Sequence, residues 1–134
     1  MTEESRICRI LDRSYSMIWR EGRLDETLRG LDEDFEWVAT DYLDGAPRRG
    51  PDSVIQFFRD WIDVWDDLHY DWEMKELDPE RALVIVHMRG RSRGSGVPGE
   101  MHFGQIWEMR GGRFKRMTMY TDVAQARRAA GLDP

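Results

Sequence analysis

Side chains able to move a proton or hold a ligand are few in this chain, and they are scattered. His69, His87 and His102 each stand in a different stretch of apolar–polar alternation. An imidazole serves near neutrality as an acid–base group or a metal ligand, but a metal needs donors converging on one point. By alternation His102 points away from the face that carries Gln105, His69 lies on the polar side of its stretch, and His87 shares parity with Arg89 and Arg91. The expectation is three surface-facing histidines and no metal, with His87 kept as a lone candidate acid–base group. Asp41 and Asp44 follow the first strand-like stretch. A buried Asp41 would have its pKa raised by desolvation and act as a base; a solvated loop aspartate is the alternative. Tyr15 either donates a hydrogen bond into an interior cavity or sits as an amphipathic tyrosine with its hydroxyl at the rim. Arg89, Arg91 and Arg93 either hold an anion or pair with Glu100 or Glu108 across a strand.

These residues need positioning, and the stretch that does most of it runs over residues 100–120. It predicts two long strands joined at Arg110-Gly111-Gly112, because Gly111 and Gly112 reach positive φ without a Cβ penalty. On the first strand Met101, Phe103, Gln105, Trp107 and Met109 share a face; on the second, Met117, Met119 and Thr121 do. Gln105 is thus one polar side chain in a row of large apolar ones, with Met119 expected beside it. An amide and a thioether cannot exchange a proton at neutral pH, so this pair is no acid–base couple. Gln105 can still bond a ligand carbonyl or hydroxyl, or a neighbouring group of the protein.

The preceding chain supplies helices. Residues 4–21 carry Ile7, Ile10, Leu11, Ser14, Met17 and Ile18 at helical spacing, and Gly22 ends the run. A second short helix is predicted over 24–28, a strand over 35–39 and a loop over 40–50. A helix over 51–66 starts at Pro51 and buries Phe57, Phe58, Trp61 and Trp65. Strands follow over 68–75 and 82–93, with a turn at 78–80, and a last helix over 123–130 begins at the cap Asp122. The order predicts one α+β domain over residues 1–134: a curved antiparallel sheet with helices on one face, enclosing a cone.

Composition narrows the function. Of 134 residues, 20 are Lys or Arg and 26 Asp or Glu, a net charge of −6 that argues against a nucleic-acid partner. No apolar run approaches membrane length, and Glu3, Glu4, Arg6 and Arg9 stand where a leader peptide would be apolar. A cytoplasmic protein without a membrane partner is expected. The single Cys8 forms no intrachain disulfide and is expected as a packed thiol. Six tryptophans and eight methionines suit a cavity wall as well as a plain core.

Five segments carry a resemblance. Glu21-Gly22-Arg23-Leu24-Asp25, Leu31-Asp32-Glu33-Asp34-Phe35-Glu36-Trp37, Arg49-Gly50 before a helix with Phe57-Phe58, Trp107-Glu108-Met109-Arg110-Gly111-Gly112 and Tyr120-Thr121-Asp122 occur in this order. Together they resemble the SnoaL-like branch of the nuclear transport factor 2-like, or ketosteroid isomerase-like, superfamily, over nearly the whole chain. The resemblance implies a cystatin-like cone and a homodimer formed through the convex sheet face. It also implies relatives that are polyketide cyclases, ketosteroid isomerases, epoxide hydrolases, dehydratases or non-catalytic binders. The cyclase pattern wants a histidine and an aspartate where Gln105 and Met119 stand. The isomerase pattern finds its tyrosine at Tyr15 but has Ala39 in place of its carboxylate base, and no acid at Gly104 or Gln105. The hydrolase pattern loses one aspartate to Met119.

The expected cone is lined by Trp19, Trp37, Phe57, Trp61, Phe103, Trp107, Met117 and Met119, with Tyr15 and Gln105 as its polar groups. It binds a small hydrophobic molecule and needs no cofactor. Two other readings stand beside it. One is a cofactor-free isomerase, cyclase or hydrolase using Tyr15, Asp41 or His87; the other is a dimerisation module with a filled cone. For the dimer, Ile106, Thr118, Tyr120 and His102 are expected on the exposed convex face.

Overall fold

Ser5 opens the first helix by accepting the backbone N–H of Cys8 at 3.2 Å. The computed structural model describes residues 5–39 and 47–134. Helix α1 spans Arg6–Trp19, and its stripe Ile7, Leu11, Tyr15 and Ile18 is buried. Gly22, at φ +69°, turns the chain out of it. Helix α2 covers Leu24–Leu28, and β1 covers Glu36–Ala39. A two-residue strand, β2 (Arg48–Arg49), lies within the span expected to be loop and pairs antiparallel with β1. Helix α3 runs Gly50–Asp63, with Pro51 in its first turn.

Helix α3 stops short of its expected end, because Trp65 belongs to the next strand instead. Strand β3 spans Trp65–Asp78, and its first residue lays its ring over two glycines. A Cβ built on Gly99 would come within 2.7 Å of the Trp65 ring, and one on Gly90 within 3.2 Å. The two glycines, one on each of the next two strands, form a slot in the sheet that the Trp65 ring fills. Asp67, at φ +52°, absorbs the register shift that follows.

Strands β4 (Arg81–Ser92), β5 (Pro98–Arg110) and β6 (Arg113–Tyr120) complete a six-stranded sheet of order β2-β1-β6-β5-β4-β3. Every neighbouring pair is antiparallel except β1 and β6, which run parallel, so the sheet is mixed. Gly111 and Gly112, at φ +61° and +82°, make the two-residue turn between β5 and β6. The register sets Gln105 directly opposite Met119, as expected from the alternation.

The concave face packs against α1, α2 and α3 in one core that includes Phe35, Trp37, Val54, Phe58, Val86 and Met117. Helix α4, Val123–Ala129, departs from the expected plan. It is capped by Asp122, which accepts the N–H of Ala124 at 2.8 Å. It packs on the opposite, convex face, where Ala126 joins Leu83 and Ile106 in a second cluster. Helices therefore flank both faces. Ile106 is buried and Tyr120 packs against the same cluster, so these residues expected on an open dimer face are covered within the chain.

The seat of α4 is tight. A Cβ on Gly104 would stand 2.3 Å from the Cβ of Ala126, so the strand must be bare there. Gly104→Ala should displace α4 and cost about 1–3 kcal/mol, as overpacking generally does. Urea unfolding of the variant checks this, and an unchanged midpoint would mean that the close approach does not hold α4.

Candidate functional site

Tyr15 on α1 and the residues 105 and 107 of β5 meet at the centre of the cone. Helical spacing aims Tyr15 inward with Leu11 and Ile18, and alternation aims Gln105 and Trp107 toward it from the sheet. Trp107 Nε1 donates to the Tyr15 hydroxyl at 2.9 Å. An indole N–H can only donate, so the hydroxyl accepts it and directs its own proton to Gln105 Oε1. This fixes the amide orientation: the carbonyl is engaged by Tyr15 and the NH₂ group faces the other way. Tyr15 is 5% and Gln105 3% exposed, and Gln105 is the one buried polar or charged residue among the described residues outside the aromatics. The amide thus bonds a neighbouring side chain, and the tyrosine hydroxyl lies deep in the core rather than at a rim.

A cavity of about 240 Å³ opens beside this trio. Its wall comes from α1 through Ile10, Ser14 and Trp19, from α2 and its exit through Leu28 and Leu31, and from the β5–β6 hairpin through Phe114. Gly30, Gly112 and Arg113 are its exposed members and mark the mouth. Trp19 stacks on Tyr70 with ring centroids 3.8 Å apart and closes one side. A second space of about 20 Å³, room for a single water, lies beyond Phe58, Tyr70 and Gln105, which border both.

The expected lining divides between these two spaces. Tyr15, Trp19, Gln105 and Trp107 border the larger. Trp37, Phe57, Trp61, Phe103 and Met119 border only the smaller. The reason is aromatic packing: Trp37 contacts Phe57 and Phe58 at 5.1 and 4.9 Å between centroids, which closes that end of the cone. Met117 borders neither cavity, a correction to its expected role. It is fully buried, with Trp37 and Trp107 as its register partners on the two adjacent strands.

Sequence reasoning missed the part of the wall supplied by Leu28, Leu31, Tyr70 and Phe114. Ile10 and Ser14 were legible in the α1 stripe, but the contribution of α2 depends on how that short helix docks. His87 is not in the cone. It lies on the convex face, stacked on His102 with centroids 4.1 Å apart and its Nε2 2.8 Å from Glu100 Oε1. Asp41 and Asp44 lie outside the described residues. Arg89 and Arg93 pair with Asp71 and Asp66 of β3, not with Glu108.

Burial pushes the Tyr15 phenol well above its usual pKa, and the bond from Trp107 offsets this only in part. Burial likewise raises Tyr70, with the proximity of Tyr15 adding to it. An unfolded phenol ionises near about pH 10, before the folded one does. The unfolded state therefore loses protons first, and stability that is full below pH ~10 falls as pH rises beyond it. Thermal melts across that range should show the decline, and Tyr15→Phe should make it shallower, with Tyr70 left to act alone. Parallel curves for the two proteins would refute the assignment.

Comparison with known proteins agrees with this geometry. Residues 11–117 match the family model of the SnoaL-like domain. An NTF2-like protein of unknown function from Burkholderia pseudomallei is 24% identical, over 90% of this chain and 94% of that one, with a TM-score of 0.71. A Mycobacterium tuberculosis protein in complex with estradiol-17β-hemisuccinate is 16% identical, over 87% and 93%, with a TM-score of 0.72. TerC, co-crystallized with polyporic acid, is 21% identical, over 92% and 97%, with a TM-score of 0.69. No curated protein matches the chain. At these identities the solved structures establish the fold alone. With the family match spanning both the helices and the hairpin that build the cone, and solved NTF2-like proteins sharing the fold, the chain belongs to the SnoaL-like domain family.

Proposed function

We propose that this protein binds a compact, largely apolar ring compound in the cavity between α1, α2 and the β5–β6 hairpin. One observation carries the reading: a space of about 240 Å³ whose wall is apolar, with the Tyr15–Gln105–Trp107 trio as its convergent polar feature. Ligand pockets commonly run to roughly 300–1,000 Å³, so this one suits one or two rings better than four. Aromatic faces of Trp19 and Trp107 supply dispersion. The Tyr15 oxygen and the Gln105 amide supply direction, and Arg113 at the mouth would meet a polar substituent left outside. The Mycobacterium tuberculosis structure in complex with estradiol-17β-hemisuccinate and TerC co-crystallized with polyporic acid support the reading that a cone of this fold takes a small organic ligand.

Binding is favoured over proton-transfer catalysis by the chemistry of the wall. Among the described residues bordering either cavity there is no carboxylate and no imidazole. Tyr15, with its phenol held neutral, acts as a hydrogen-bonding group rather than a base. The cavity itself speaks against a cone filled completely for dimerisation.

Titration with a panel of one- and two-ring apolar compounds should change the emission of Trp19 and Trp107. Ser14→Phe, which puts a ring into the cavity, should weaken binding by about tenfold or more, since it removes most of the room for a ligand. If no compound perturbs the emission, or if Ser14→Phe binds as well as wild type, the proposal is wrong. Gln105→Leu should destabilise the fold by about 1–3 kcal/mol, because the buried Tyr15 proton loses its acceptor. Chemical denaturation checks that value.

A further inference from the structure

The convex face holds a group of side chains that the cavity does not use. His87 on β4 stands directly opposite His102 on β5, and Glu100 lies two residues before His102, on the same face. The imidazoles are stacked nearly parallel, at 8° with centroids 4.1 Å apart. His87 Nε2 and Glu100 Oε1 are 2.8 Å apart. One donor atom from each of the three residues lies within 4.8 Å of the other two. The group begins two residues beyond Ile85 and Gly104, where the area seated under α4 ends. Glu100 is exposed and His87 about one-third exposed, so solvent reaches the cluster.

We propose that His87, Glu100 and His102 form a surface binding site for a divalent transition-metal ion of the zinc type. Two imidazoles and a carboxylate are a nitrogen-rich donor set that suits zinc, copper or nickel; calcium and magnesium prefer oxygen alone. Three protein ligands leave a position of a tetrahedral ion to water. Bonds of about 2.0–2.2 Å to such an ion would place the donor atoms about 3.3–3.6 Å from one another in tetrahedral geometry. Rotation of exposed side chains closes the present spread to that distance, and the paired strands hold the Cα positions meanwhile. Asp71 faces His87 from β3, but Arg89 at 3.6 Å and Arg20 at 3.9 Å hold its carboxylate. It therefore stays outside the ligand set. The spacing rules for metal sites overlook this group, because residues 87 and 100 meet only through the β4–β5 register.

Calorimetric titration of the full chain with zinc chloride tests the proposal. Wild type should bind one ion per chain in the micromolar range. Losing even a partner behind a metal ligand costs about 10–100-fold in affinity, so His87→Ala and His102→Ala should each weaken binding by at least that much. Glu100→Gln, which keeps shape and loses charge, should also weaken it, while His69→Ala should bind as wild type does. Circular dichroism establishes that each variant is folded. Absence of saturable binding to wild type would overturn the proposal. Binding to a folded His87→Ala/His102→Ala variant with wild-type affinity would do the same.

Discussion

The architecture depends on one strand that must be buried on both faces. From Phe103 to Trp107, β5 contributes five consecutive buried residues. Alternation sends Phe103, Gln105 and Trp107 into the cone and Gly104 and Ile106 toward α4. The same strand therefore floors the cavity on one side and seats a helix on the other. Continued outward, its convex positions carry His102 and Glu100 into solvent. A one-residue slip in its pairing would exchange these roles, placing Ile106 in the cavity and Gln105 beneath α4. The glycine turn at residues 111–112 and the bare Gly104 both hold that register: the first through turn geometry, the second by admitting Ala126.

Within the cone, polarity is confined to a trio whose hydrogen bonds determine one another. The indole must donate, the phenol must then donate onward, and the amide must present its carbonyl. Low dielectric makes each of these bonds stronger and each loss costlier than in water. Burial also pushes the phenol pKa well above its usual value, which favours the protonated, hydrogen-bonding form. The trio is thus a rigid polar mark in an apolar wall. Under the proposed reading, a mark of that kind would orient a ligand through hydrogen bonds, whereas the cyclase and isomerase patterns rely on acid–base pairs at positions held here by Gln105, Met119 and Ala39.

Charge is distributed differently at the surface. Asp32 accepts Lys115 Nζ at 2.8 Å and the N–H of Asp34, and these contacts, the lysine bond foremost, hold its carboxyl below the usual range. Glu36 pairs with both Arg49 and Arg116, joining β2 and β6 to β1. Such partly solvated pairs contribute little each. They link β1 to its two neighbouring strands, while aromatic packing around Trp37, Phe57 and Phe58 closes the cone beneath it.

The sequence by itself determined what is local. Period-two and helical spacing specified α1, the β5–β6 hairpin and its glycine turn, the inward face carrying Gln105 and Trp107, and the cap at Asp122. These follow from backbone geometry and side-chain alternation, which act over a few residues. Its motifs, taken in order, also indicated the family. Tertiary structure alone decided the rest. It placed α4 on the convex face, because a helix of small residues fits wherever a bare glycine strand lets it approach. It moved Trp65 from helix to strand, because the ring fills a slot made by Gly90 and Gly99 on two other strands. It split the expected cone into an open part and a closed part, because the fit of Trp37 among phenylalanines depends on how α3 lies on the sheet. And it brought His87 to His102 and Glu100, since residues 13 and 15 positions apart become neighbours only when two long strands pair in one register.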